Sequence, residues 1–168
     1  KTFTPDIVLI KNRDTTDQWK FIDVVRGATK EINIDGTDAE STDVNGLSAF
    51  NSNGFTLGTG ANGYNDSGEA FVAYQFNAGN SEVVNSDGTV NVTQRASVIS
   101  GVSIGTFTSP ASGTFTLGHG LTNAPGFVAI KQLDATGGWW AHLSGLNANQ
   151  YLRLEGTDAV ATSTSVFN

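Results

Sequence analysis

The chain has 168 residues, with 9 Lys and Arg against 16 Asp and Glu, for a formal net charge of −7. That length is enough to bury an ordinary core in one or two domains. Arg95 is the sole basic residue between Lys30 and Lys131, which disfavours a nucleic-acid partner, since that role needs a clustered basic face. Cysteine is absent, which excludes disulfides and thiolate metal sites, and no segment approaches the length of a membrane span.

Glycine, Thr, Ser, Asn and Val dominate and helix formers are sparse, so short strands joined by turns are expected. Asp6–Asn12 reads as a buried strand, apolar and β-branched between Pro5 and the polar run Asn12–Gln18. Gln18–Val25 alternates with Trp19 and Phe21 on one face, and Lys30–Ile34 with Ile32 and Ile34 inward. Asp35-Gly36 is a turn signal. Ser41–Ser52 spaces Val44, Leu47 and Phe50 by three, but Asn45-Gly46 argues for an irregular loop over a short helix. Phe55–Leu57 is a short strand, 58–68 a Gly/Asn-rich loop carrying Tyr64, and Glu69–Asn77 a strong strand. Ala78–Ala96 reads as a linker with a small hairpin around Asn85-Ser86-Asp87-Gly88. Val98–Thr108, Gly113–Leu117, Gly126–Leu133, Gly138–Leu143, Gln150–Leu154 and Ser165–Phe167 follow as strands.

The sequence repeats itself at a spacing of 120 residues. Pro5 matches Pro125, Lys11 matches Lys131, Asp14 matches Asp134 and Trp19 matches Trp139. Ile32-Asn33-Ile34 matches Leu152-Arg153-Leu154, and Gly36-Thr37-Asp38-Ala39 matches Gly156-Thr157-Asp158-Ala159. One constant offset marks a duplicated module. The copies are incomplete. Copy one continues through Phe50 to Phe76. Copy two stops at Val166-Phe167-Asn168, which aligns with Ala49-Phe50-Asn51 after a small deletion. The simplest account is a fragment of a longer repeat protein. The sharper alternative is that neighbouring subunits supply the missing strands, because an unpaired sheet edge invites a partner.

Candidate chemistry is thin. Glycoside hydrolysis needs two carboxylates at a fixed separation, and no spacing singles out a pair among the five glutamates. No phosphate loop, Gly-x-Ser-x-Gly or His-Glu-x-x-His occurs. His119, between glycines, reads as a turn cap more than as a ligand. Calcium is the better cofactor candidate, with Asp14, Asp17, Asp35 and Asp38 offering hard oxygens on turns, although the same residues satisfy turn backbones by themselves. Trp19 and Trp139 read as repeated core anchors. If Trp139 points inward, alternation puts Trp140 outward, a candidate for sugar stacking or a protein contact; His142 on the same face is a candidate for sugar stacking, although its counterpart Ile22 favours a packing position. Tyr64, on its Gly/Asn loop, is a further candidate.

Phe3-Thr4-Pro5-Asp6-Ile7-Val8-Leu9-Ile10-Lys11-Asn12-Arg13-Asp14 resembles a repeated motif in virion proteins of marine phages, cyanophages among them. Val25-Arg26-Gly27-Ala28-Thr29-Lys30, Phe50-Asn51-Ser52-Asn53-Gly54-Phe55-Thr56-Leu57-Gly58, Ala70–Gly79, Asn85-Ser86-Asp87-Gly88-Thr89, Gly118-His119-Gly120-Leu121 and Ala161–Asn168 continue the likeness in order. The resemblance implies a virion structural or tail-fibre component with a lectin-like sandwich fold, and it carries no agreed catalytic or binding residues. Copy two departs from the motif where Asn12-Arg13 becomes Gln132-Leu133 and Val25-Arg26-Gly27 becomes Gly145-Leu146-Asn147.

The expectation is therefore an all-β chain of two related β-sandwich modules, jelly-roll or lectin-like, at residues 1–78 and 98–168, joined by a linker at 79–97. The expected role is a non-enzymatic phage virion protein (tail fibre, spike or capsid decoration) in adhesion to a host-surface glycan or in particle assembly. Its partners would be copies of itself, other virion proteins and possible cell-surface glycan, in an extracellular virion. A carbohydrate-binding module or glycan-active enzyme is the alternative.

Overall fold

The computed structural model describes residues 3–59 and 63–167. Strands and turns account for the described residues, with no helix among them, so the chain is all-β. The first sheet combines β1 (Ile7–Asn12), β2 (Lys20–Asp23), β3 (Lys30–Asn33), β4 (Ser41–Thr42) and β7 (Phe71–Phe76) in the order β4-β3-β2-β1-β7, every pairing antiparallel. β5 (Leu47–Asn51) and β6 (Gly54–Leu57) form a separate hairpin. β8 (Val83–Asn85), β9 (Val92–Ser97) and β10 (Val102–Thr106) make a three-stranded sheet, and β11 (Phe127–Lys131), β12 (Trp139–Leu143), β13 (Gln150–Arg153) and β14 (Ala161–Thr162) a four-stranded one.

The core sits on one face of the first sheet. Strand alternation puts Val8 and Ile10 of β1 beside Ile22 of β2, and all three are at most 1% exposed. Leu47 and Tyr64 complete this cluster, with Ala28, Phe50, Phe55, Leu57 and Phe71 packed around it. The β5–β6 hairpin thus covers the sheet, and each fully buried aliphatic contributes about 1.5–3 kcal/mol. The opposite face meets the four-stranded sheet. There Trp139, 5% exposed, sets its ring 5.8 Å from that of Phe21, and its Nε1–H donates to the Asn33 carbonyl at 2.9 Å. Backbone bonds from Glu40 to Leu133 and from Gly137 to Thr37 flank this contact.

The two sheets share one register. Val8 pairs with Ile22 and Val128 with His142; Phe21 pairs with Ile32 and Ala141 with Leu152; Lys30 pairs with Thr42 and Gln150 with Thr162. Turn contacts recur at the same offset. The Val24 N–H donates to the Asp6 carbonyl and that of Ser144 to Gly126; the Trp19 N–H donates to the Asp35 carboxylate and that of Trp139 to Glu155.

Three expectations change. The Asn45 N–H is capped by Asp43 and the Ser165 N–H by Ser163, which puts Phe167 in the place of Leu47 with no deletion. The alignment of Val166-Phe167 with Ala49-Phe50 is displaced by three positions, and Asn168 lies outside the described residues. Ser41–Ser52 is not a loop but holds β4 and the whole of β5, the first strand of the β5–β6 hairpin. Gly113–Leu117 and Ser165–Phe167 form no strand; Leu117 makes only an isolated bridge to Val90. Across residues 79–97, β9 pairs with β8 on one side and β10 on the other. Arg95 of β9 reaches the buried Asp6 at 2.8 Å, and the Ala78 N–H donates to the same carboxylate at 2.7 Å.

Candidate functional site: an aromatic face and an acidic cluster

The outer face of the four-stranded sheet holds two of the ring-bearing candidates, Trp140 and His142. Trp139 and Ala141 point toward the first sheet, so alternation turns Trp140 and His142 outward. Trp140 pairs with Arg153 across the strands. The Arg153 guanidinium lies 3.6 Å from the Trp140 ring centroid, and the Tyr151 ring is 4.6 Å away at a 50° tilt. His142 stands 5.3 Å from the Phe167 ring, and its Nδ1 is 2.9 Å from the Gln150 carbonyl. All of these side chains are half-buried. One flat side of Trp140 is therefore occupied by a cation, and the remaining surface is a shallow aromatic and cationic platform. A planar ring with a guanidinium beside it can stack an apolar sugar face and donate to its hydroxyls.

The corresponding face of the first sheet is the protein's core. Trp140, His142, Tyr151 and Arg153 stand where that sheet has Lys20, Ile22, Glu31 and Asn33. Glu31 there accepts from Lys20 Nζ at 3.0 Å and from Ser41 Oγ at 3.1 Å. Tyr151 and Arg153 escaped attention in the sequence, although the offset of 120 from Glu31 and Asn33 marks both as members of one strand face.

Tyr64 does not belong to such a surface. It is 2% exposed, and its hydroxyl donates to Glu31. Its ring lies against the backbone of Gly46, where a Cβ would come within 3.0 Å of it. The Gly/Asn-rich flanks read as an exposed loop, but the aromatic ring fills the hole that Gly46 leaves, and residues 60–62 of that loop lie outside the described residues. Burial first, and then the bond to Glu31, drive the phenol's pKa well above its ordinary value.

The calcium candidates do not converge. Asp14 accepts the Ala70 N–H at 2.6 Å, and Asp35 accepts the Trp19 N–H at 3.0 Å. Both satisfy backbone donors, and Asp38 joins neither. Asp17 instead meets Asp66 and Glu69, residues not singled out in the sequence, with one carboxylate oxygen of each within 4.8 Å of the others. The amide of Asn12, fully buried, donates to Asp17 at 3.1 Å and also to Glu69. Three hard oxygens on turns have the chemistry a divalent cation takes, while the Asn12 amide offsets part of their mutual repulsion. His119 accepts the Leu121 N–H on Nδ1 at 3.0 Å, which is a turn cap.

These features define an all-β chain with one enclosed core and one open aromatic sheet face. Residues 1–168 match the family model described as "Domain of unknown function (DUF7483)", and the chain belongs to that family. No curated protein and no solved structure matches it.

Proposed function

We propose that the chain is a non-enzymatic structural protein of a phage particle, a tail fibre, spike or capsid-decorating component. It is built from two related β-sandwich modules of jelly-roll or lectin-like kind that arose by duplication at a spacing of 120 residues. The observation that carries this reading is the shared register of the two sheets, residue for residue, down to the caps of their turns. Repeated β units are a modular way to build an extended, symmetric assembly. The sequence likeness to marine-phage virion proteins supplies the setting, extracellular and on the particle.

The test is composition. Peptides of this chain should be recovered by mass spectrometry from density-purified particles of the phage that encodes it, at a ratio fixed to the major capsid protein. Recovery only from the soluble fraction of infected cells would overturn the assignment.

The platform of Trp140, Tyr151, Arg153 and His142 favours a second reading, a carbohydrate-binding module that holds a host-surface glycan. The adhesive and assembly roles are compatible, because a sheet's face and its strand edges are different surfaces.

A further inference from the structure

The outer edges of β7 and β11, two of the strands that end a sheet in this molecule, have no strand beside them among the described residues. Their free backbone groups can be assigned. The Arg13 N–H donates to the Ala70 carbonyl across the β1–β7 ladder. Backbone groups alternate sides along a strand, so Phe71, Ala73 and Gln75 turn theirs outward. The Ser144 N–H donates to the Gly126 carbonyl across the β11–β12 ladder, so Phe127, Ala129 and Lys131 turn theirs outward. Each edge thus presents three residues with unpaired donors and acceptors.

Neither edge is protected in the usual ways. Natural proteins blunt free edges with charge, proline or a bulge. β7 (FVAYQF) carries no charge and no proline, β11 (FVAIK) carries only its terminal Lys131, and both ladders keep regular register. Both edges also expose aromatic side chains, with Tyr74 at 51%, Phe76 at 40% and Phe127 at 53%. The molecule contains its own precedent. β1 stands at the register of β11, and on the matching edge, through Ile7, Leu9 and Lys11, it holds a strand, β7. The backbone of β11 is therefore shaped to accept one.

We propose that the outer edge of β7 on one copy pairs with the outer edge of β11 on a second copy, joining chains head to tail through a continuous sheet. The two edges are different surfaces, so the contact is heterologous and leaves one edge of each kind free at the ends. The inference deepens the assembly side of the function proposed above and is read on the purified chain alone. Its failure leaves the particle assignment standing, and the failure of that assignment leaves this contact testable.

The experiment uses two edge variants of the full chain. Ala73→Pro and Ala129→Pro each remove one outward N–H and no existing ladder bond, a place where proline is tolerated in sheets. Sedimentation velocity and light scattering would be run over a wide concentration range, with circular dichroism to verify folding. Wild-type chain should grow with concentration beyond a dimer. Each variant alone should have its association midpoint raised by at least about tenfold. An equimolar mixture should form a dimer and nothing larger, because only one intact pair of edges remains. Wild-type chain that stays monomeric overturns the proposal, as does an oligomer indifferent to both variants or a mixture that fails to pair. If either proline variant misfolds, Ala73→Lys and Phe127→Lys at exposed positions replace them with the same expectations.

Discussion

The phenol of Tyr64 donates its hydrogen bond to the carboxylate of Glu31, 33 residues away in sequence, and the two residues are only 2% and 8% exposed. The bond ties the covering loop to β3 beneath it. The folded-state pKa of Tyr64 lies above its ordinary value of 10.0, through burial first and Glu31 second. A raised folded pKa favours the protonated form, so this stabilisation is complete below about pH 10 and is lost as the pH rises above it, when the unfolded chain ionises and the folded one does not. Urea unfolding as a function of pH should show stability falling on the alkaline side. Tyr64→Phe should flatten that fall and cost about 1–3 kcal/mol at neutral pH, because Glu31 loses a donor.

Trp19 and Trp139 occupy matching positions and do different things. Trp19 is half-buried and stacks on Tyr74 at 5.8 Å. Trp139 is enclosed between the sheets and holds the Asn33 carbonyl. Trp139→Ala should therefore cost about 3–5 kcal/mol, as large truncations of buried aromatics do, and Trp19→Ala clearly less. Equal losses in denaturant titrations would contradict the asymmetry.

Asn12 holds apart carboxylates that repel. Hydrogen bonds to charged groups contribute about 1.5–3 kcal/mol each, and Asn12 makes two, so Asn12→Ala should lower stability by at least about 3 kcal/mol. Glu69→Gln removes one charge from the cluster and should raise the melting temperature at low ionic strength. Calcium should raise the melting temperature of the wild-type chain, and Glu69→Gln should abolish that increment; equal increments in both would place the ion elsewhere.

On the aromatic face, Trp140→Ala should eliminate binding on a glycan array while shifting the melting temperature little. The Arg153 contact it removes is a surface cation–π pair, contributing about 0.5–1 kcal/mol. Arg153→Lys should weaken glycan binding too, because an ammonium cannot reproduce the planar stack. Undiminished binding by Trp140→Ala would move the glycan site off this face.

Strands with clean alternation were legible in the sequence. Asp6–Asn12, Lys30–Ile34 and Gly138–Leu143 fall within a residue or so of β1, β3 and β12. β5 was hidden because a register shift between Leu47 and Ala49 breaks the period of two, leaving apolar residues at a spacing of three that imitates a loop or helical turn. The Asp17, Asp66 and Glu69 cluster was illegible for a different reason. It exists only because β7 pairs with β1, so that Asn12 lies opposite Phe71, and local sequence does not disclose a strand's partner. Tyr64 was misplaced because its neighbours describe a loop, whereas its burial is decided by the space above Gly46. The orientation of Trp140 and His142 needed only alternation and matches the structure.

The shared register lets one backbone ladder carry two different faces. Between the two sheets, Lys20 gives way to Trp140, Ile22 to His142 and Glu31 to Tyr151, which converts a sealed interior into a wetted exterior without moving one rung of the ladder. The turn closures recur as well: an acid at Asp35 and Glu155, and a short oxygen-bearing side chain at Asp43 and Ser163. One ladder pattern, closed by the same kind of turn contact, thus serves both a sealed face and an open one.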